Sequence, residues 1–238
     1  MTALAAQHAE LGELVHGCAN DDWGRPTRQH GCVTIGQVIL GVRDLDAATR
    51  RFEELGLCVV DGGAHPGLGT ANRVIPLGAS YLELLGVVDR DEADAGAYGR
   101  SLLERTAHGD CLVRWSIRTT AIEQVSARLG LTPERRQRLR PDGTLLTWRA
   151  AGLELSLRDS WLPFFMEWDD PSQFPGAIPV DHPIGPCALS WLRVSTPDPD
   201  RLTRWTEGEA DLPVIRGRAS PGINTVAIST ASGDIVID

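Results

Sequence analysis

This chain predicts an α+β fold built from repeated modules of one strand, one helix and three further strands. Three observations carry that reading. Apolar runs of strand length are separated by single short amphipathic helices. The β-α-β-β-β order recurs, beginning at Ile35, Cys111 and Ala188. Hydrophobic residues make up 42% of 238 residues, enough core for one large domain or two small ones.

In the first module, Gln37–Val42 is apolar enough for a strand buried on both faces. Asp44 and Asp46 offer carboxylate caps to a helix whose Leu45, Ala48, Phe52 and Leu55 recur at helical spacing, and Gly56 closes it. Leu57–Val60 begins the next extended run, and a glycine-rich loop is expected over Gly62–Asn72. Val74–Gly78 and Tyr81–Leu85 complete the module. A connector with one helix, Ala97–Thr106, leads to the second module. There Cys111–Arg118 reads as a strand and Ala121–Leu129 as a helix. Arg138–Arg140 and Leu145–Arg149 flank a Pro141-Asp142-Gly143 turn, and Leu162–Trp168 is the last strand. Prolines at 171, 175, 179, 183 and 186 predict an extended linker. A third module follows over residues 187–238, with strands Ala188–Val194, Val214–Arg216, Thr225–Ser229 and Asp234–Asp238 and a helix Pro199–Trp205. Such modules pair, so the odd third one needs the flank of the other two or a second chain, as in a homodimer.

Charge and cysteine usage narrow the classes. A net charge of −9 with no basic run speaks against nucleic acid or an anionic membrane as partner. All 23 basic residues are arginine, which reads as a GC-rich, bacterial codon bias. No apolar run approaches the roughly 20 residues of a membrane span, and the first residues do not resemble a signal peptide. Cys18, Cys32, Cys58, Cys111 and Cys187 are scattered without a CxxC pair, as in a cytoplasmic protein. No GxGxxG opening a helix, Walker or Gly-x-Ser-x-Gly sequence occurs, so nucleotide binding and serine-hydrolase chemistry have no support, and no cofactor is named.

Glu83 stands out as a lone carboxylate inside an apolar strand, where a charge is costly unless paired, protonated or metal-bound. By alternation Tyr81, Glu83 and Leu85 share the face opposite Leu82 and Leu84. The plain reading of Glu83 is a strand glutamate that faces solvent or is satisfied by an arginine such as Arg73 or Arg114. The loop offers His65, Thr70 and Asn72 as polar contacts, and Gly67 where backbone approaches a ligand closely. Its plain reading is a structural bend. Trp115, Trp148, Trp161 and Trp168 with Phe164 and Phe165 line an apolar pocket or form ordinary core.

The segment Gly62-Gly63-Ala64-His65-Pro66-Gly67-Leu68-Gly69-Thr70-Ala71-Asn72, the strand Tyr81–Leu85 and the stretch Pro163-Phe164-Phe165-Met166-Glu167-Trp168 resemble a subgroup of glyoxalase-like domains in the vicinal oxygen chelate superfamily. The resemblance runs from about Thr34 onward. It implies curved mixed sheets around a cleft over residues 34–170, with Tyr81 and Glu83 on the cleft side. It further implies an enzyme of the lyase or isomerase type acting on a small oxygenated or thiol-conjugated metabolite. In that reading Glu83 and Glu167 exchange protons, while His65, Gly67, Thr70, Asn72, Tyr81 and Trp115 hold the substrate. A metal-free small-molecule binding protein is the alternative. Metal ligands in the superfamily come from the first and last strands of each module. By position these fall on Gln37, Glu83 and Glu167, and on Leu112–Val113, which cannot coordinate, so no complete metal site is expected. Residues 1–33 are expected to form a helical extension. Their Asp21-Asp22-Trp23-Gly24-Arg25-Pro26-Thr27 turn resembles the DinB/mycothiol-dependent isomerase family, but Leu40-Gly41 stands where that family's metal-binding histidine falls. A thiol-cofactor enzyme is therefore disfavoured.

Overall fold

A computed structural model describes residues 34–206, 214–217 and 219–238. The expected helical extension over residues 1–33 lies outside the described residues.

The first strand, β1 (Thr34–Val42), is buried along almost its whole length. It runs down the middle of an eight-stranded sheet, and both its faces are covered. Helix α1 (Leu45–Glu54) follows. The Asp44 carboxylate accepts the amides of Asp46 and Ala47 at 2.8 and 2.9 Å. Such a cap contributes about 1 kcal/mol. The helix buries Ala48 and Phe52. Then come β2 (Val60–His65), β3 (Thr70–Leu77) and β4 (Ser80–Val87), and β4 returns parallel to β1. The stretch Gly62–Asn72, expected as a loop, is instead mostly strand: β2 and β3 pair antiparallel around a tight turn. Glycine lowers strand propensity, but here it is selected by close approach of neighbouring chain, as the site shows.

Helices α2 (Arg90–Ala95) and α3 (Ala97–Arg105) lead into the second module. It repeats the pattern with β5 (Cys111–Arg118), α4 (Ile122–Leu129), β6 (Glu134–Leu139), β7 (Leu145–Ala151) and β8 (Phe164–Trp168). A further helix, α5 (Leu153–Arg158), lies between β7 and β8 and had no counterpart in the sequence reading. The sheet order is β2-β3-β4-β1-β5-β8-β7-β6, with the modules joined through the antiparallel β1–β5 pair. The two modules therefore share one curved sheet, and its edge strands β2 and β6 come back towards each other, so the sheet is nearly a barrel.

The proline-rich segment is not an extended linker. Two short 3-10 turns, Pro171–Gln173 and Pro175–Ala177, carry it across the concave side, with Phe174 fully buried between them. The Gly78 amide donates to Gly176 O at 2.8 Å. His182 accepts the Cys58 amide on Nδ1 at 2.9 Å, and its Nε2 lies 2.8 Å from Pro76 O. The segment is a strap fastened to the first module.

The last region has β9 (Ala188–Ser195), α6 (Pro199–Trp205), β10 (Val214–Gly217), β11 (Gly222–Thr230) and β12 (Gly233–Ile237). Its element order matches the module, but its pairing does not. The order is β10-β9-β11-β12, so the first strand pairs in parallel with the second rather than with the last. It is a separate four-stranded sheet, not a third half of the same kind. Leu192, Val194, Val226 and Ile228 join Trp115, Ile117 and Phe165 in one core on the outer face of the large sheet. Of the two places open to it, this region takes the flank of the first two modules.

Candidate functional site on the concave face

Strand alternation splits the large sheet into an outer face, which holds the main core, and a concave face with a polar centre. Val38, Leu40, Leu82, Leu84, Trp115 and Ile117 point outward. Ile39, Val74, Tyr81, Leu85, Phe164 and Met166 belong to the second, inner cluster. Glu83 shares the face of Tyr81 and Leu85 and is 6% exposed.

Glu83 is held by two neutral amides. Asn72 Nδ2 donates to Oε1 at 2.6 Å and Gln37 Nε2 to Oε2 at 3.1 Å. The network continues outward at both ends: the Tyr81 hydroxyl donates to Gln37 Oε1, and Arg138 Nη1 donates to Asn72 Oδ1. A chain of five side chains thus crosses the interior from β1 and β4 to β6. Burial raises the Glu83 carboxyl above the ordinary carboxylate range. The Asn72 bond and the fields of Arg138 and Arg114 oppose that rise without cancelling it. Burial likewise pushes the Tyr81 phenol up, and Glu83 adds to it. His65 Nδ1 lies 3.0 Å from Thr70 Oγ1. Burial, helped by the Arg138 charge, lowers His65 to about 4, so its imidazole is neutral at pH 7.

Gly62 explains part of the glycine-rich signature. A Cβ there would lie 2.0 Å from Asn72 Oδ1 and 2.7 Å from Arg138 Nη1. Only glycine lets β6 reach β2 and place the arginine on the asparagine. Gly69, at φ +64, packs against α2, where a Cβ would come within 2.3 Å of Asp89 O. The same turn spends its amides locally: Gly67 N and Gly69 N donate to the Glu92 carboxylate at 2.5 and 2.9 Å.

The sequence-derived candidates are therefore only partly brought together. Glu83, Asn72 and Tyr81 converge, and Gln37 joins them; His65 and Thr70 form a pair on the neighbouring strands, coupled to the network through the field of Arg138. Gly67 does not reach them, because its amide is taken by Glu92. Glu167 lies on the other face of β8, where Arg149 Nη2 binds it at 2.8 Å and the Ile122 amide donates to it at 3.2 Å. The expectation that Glu167 shares a cleft with Glu83 fails because alternation turns Phe164, Met166 and Trp168 inward instead. Trp115 also points outward, and its indole N–H donates to Trp161 O at 3.4 Å within the outer core. Arg73, one of two arginines considered for Glu83, pairs outside with Asp46 and Asp61. A surface depression lies there, between α1 and β2–β3, lined by Asp46, Arg50, Asp61 and Arg73.

Several residues of the concave face went unrecognised as site residues. Arg114 is 2% exposed and lies across Ile39 from Glu83 in strand register. Its guanidinium sits 4.4 Å from the centroid of the Tyr98 ring. Ser116 is fully buried and opposite Gln37. Phe174 of the strap meets Tyr81 and Trp168 edge-on at 5.5 and 6.0 Å and packs into the inner cluster, with Arg118 stacked over it at 4.3 Å. Arg114 carried the same signal as Glu83, a lone charge in an apolar strand.

A divalent metal does not fit this donor set. Among the described residues Glu83 is the one carboxylate at the centre, and both its oxygens already accept amide protons. The second module contributes Val113, Arg114, Ser116 and Met166, with a cation where a ligand belongs. Among the described residues no group of three or more His, Cys, Asp or Glu is placed to hold a metal.

Comparison with known proteins agrees with this architecture. The model of the family described as "Glyoxalase-like domain" matches residues 38–209. The chain belongs to the glyoxalase-like domain family. No curated protein matches the sequence. Among solved structures, a hypothetical protein from Staphylococcus aureus superposes with a TM-score of 0.60 at 15% identity, covering 86% of this chain and 84% of that one. It shows the fold alone. Methylmalonyl-CoA epimerase from Mycobacterium tuberculosis (TM-score 0.39, 14% identity, 57% and 86% covered) and a mutant of 4-hydroxymandelate synthase from Streptomyces coelicolor (TM-score 0.45, 16% identity, 85% and 61% covered) are more distant matches. No helix among the described residues is long and apolar enough to cross a membrane.

Proposed function

We propose that this glyoxalase-like protein is a metal-independent proton-transfer enzyme of the isomerase or lyase type, acting on a small oxygenated metabolite with Glu83 as the base. The observation that supports it is a buried carboxyl with a raised proton affinity, oriented by two neutral amides rather than neutralised by an ion pair. A base with a pKa nearer neutrality takes a proton from carbon more effectively than an ordinary carboxylate. In the proposed step Glu83 removes a proton from a carbon beside a carbonyl. The C–H electron pair moves into the new C=C bond, and the carbonyl oxygen becomes an enolate. On a hydroxy-carbonyl substrate the neighbouring hydroxyl passes its proton to the enolate oxygen, and return of the carbon-derived proton from Glu83 to the former carbonyl carbon isomerises the substrate. The 3.1 Å bond from Gln37 is the longer of the two and is the one a substrate displaces. Asn72 keeps the carboxylate oriented, and Arg138 keeps Asn72 oriented. Neutral His65 and Thr70 then contact the substrate's oxygens.

The filled concave face favours a second reading, a protein that binds the same molecule without turning it over. The two separate in heavy water. A panel of small 2-oxo and 2-hydroxy compounds is incubated with the protein, and carbon-bound deuterium is read by NMR. Exchange on a panel member, lost in Glu83→Gln, is the expected result. Saturable binding without exchange in the wild type would select the binding protein.

A further inference from the structure

Among the described residues no carboxylate forms an ion pair with Arg114. Its Nε and Nη2 have no hydrogen-bond partner, although the residue is 2% exposed, and Ser116 Oγ, two residues along on the same face, is equally buried and unpartnered. A guanidinium held in the interior over the Tyr98 ring gains some stabilisation from that residue, but the contact leaves its Nε–H and Nη2–H groups unsatisfied. Glu83 is already committed to Gln37 and Asn72. Arg138, the second buried cation of this face, is committed to Asn72. Among the described residues the concave centre therefore holds two arginines against one carboxylate, and the free hydrogen-bonding capacity belongs to Arg114 and Ser116.

We infer that Arg114, with Ser116 beside it, is the seat of a carboxylate group on the ligand of this cleft. The unpaired atoms dictate the geometry. Nε–H and one Nη2–H lie parallel along one edge of the planar guanidinium, which matches the two oxygens of a carboxylate in a bidentate pair. Ser116 Oγ supplies a further donor or acceptor on the same side of the strand. Arg114 is one strand removed from Glu83 across Ile39. A short oxo- or hydroxy-acid anchored there presents its neighbouring carbons towards the proposed base. Entry requires Phe174 and the strap to swing aside. This inference rests on the concave face being the functional site, and it narrows the substrate class to small carboxylic acids.

The test uses acetate, pyruvate and malonate as carboxylate probes, the uncharged ester methyl pyruvate, and inorganic phosphate. Binding to the full chain is followed by calorimetry and by thermal shift. At least one carboxylate should bind, and for the pyruvate–ester pair the acid should bind better than methyl pyruvate. Arg114→Gln should lose that binding by about tenfold or more, the value of a charge-assisted pair. Arg114→Lys keeps the charge and lacks the fork. It should fold and still lose most of the affinity, which guards against a folding defect in the glutamine variant. Equal binding of acid and ester, tighter binding of phosphate than of any carboxylate, full affinity in both Arg114 variants, or no response to any of the three acids would each overturn the assignment. Glu83→Gln separates this inference from the proton-transfer reading. Carboxylate binding that survives while exchange is lost supports both. In the wild type, exchange without carboxylate dependence defeats this inference alone, and carboxylate binding without exchange defeats only the other.

Discussion

Strands β4 and β8 hold equivalent places in the two modules, and each carries one glutamate in an apolar run, yet the two glutamates have opposite fates. Glu83 turns to the concave face with Tyr81 and Leu85 and is gripped by buried amides. Glu167 turns outward between Phe165-side core and α4, is about one-fifth exposed, and pairs with Arg149. A side-chain period of two means that a single residue of offset moves a charge from one face to the other. The same residue type on equivalent strands thus becomes a candidate base in one module and a surface ion pair in the other.

The contrast is sharpest when each glutamate loses its partner. Asn72→Ala leaves Glu83 Oε1 and Arg138 Nη1 buried without their mutual bridge, and should cost about 3 kcal/mol of unfolding free energy in a denaturant titration. A loss below a third of that would mean that water reaches the concave centre and that the network is not sealed. The next effect is on pH. The His65 pKa is depressed in the fold from 6.5 to about 4, so the native protein binds fewer protons than the unfolded chain between those values. The stability associated with neutral His65 is complete above pH 6.5 and is lost as pH falls towards 4, by roughly 2 kcal/mol after allowance for its partial exposure. His65→Gln should flatten that part of the profile, and the ring protons of His65 should titrate near 4 by NMR. A normal titration would remove His65 from the buried field of Arg138. The smallest effect belongs to the outer glutamate: Arg149→Ala should cost below about 1 kcal/mol, because both partners retain access to water. A loss as large as that of Asn72→Ala would erase the distinction between the two faces.

Much of the molecule was legible in the residues, though unevenly. Strand Cys111–Arg118 and helix Pro199–Trp205 fall where the repeated β-α-β-β-β pattern of the sequence places them. The face of Glu83 also follows from alternation once the Leu82 and Leu84 side is assigned to the core. The glycine-rich stretch was misread because glycine usually marks loops. Here Gly62 serves a contact with Arg138, 76 residues further along the chain, and no local rule anticipates such an approach. The proline-rich segment was misread as a spacer for a related reason: proline sets φ, but it does not say what the chain packs against.

What the sequence determined by itself was local: the order of strands and helices, the caps, the apolar stripes, and the presence of two lone charges, Glu83 and Arg114, in strands that had to be buried. These follow from short-range sterics and from the cost of leaving apolar surface in water. Only the tertiary structure decided which of the two glutamates faces inward, that β6 reaches β2 through Arg138 and Asn72, that Phe174 packs against Tyr81 and Trp168 on the concave face, and that the last four strands pair in a different order from the modules they resemble. Each of those outcomes depends on contacts between residues distant in the chain, where packing and hydrogen-bond satisfaction act together and no local pattern carries the information.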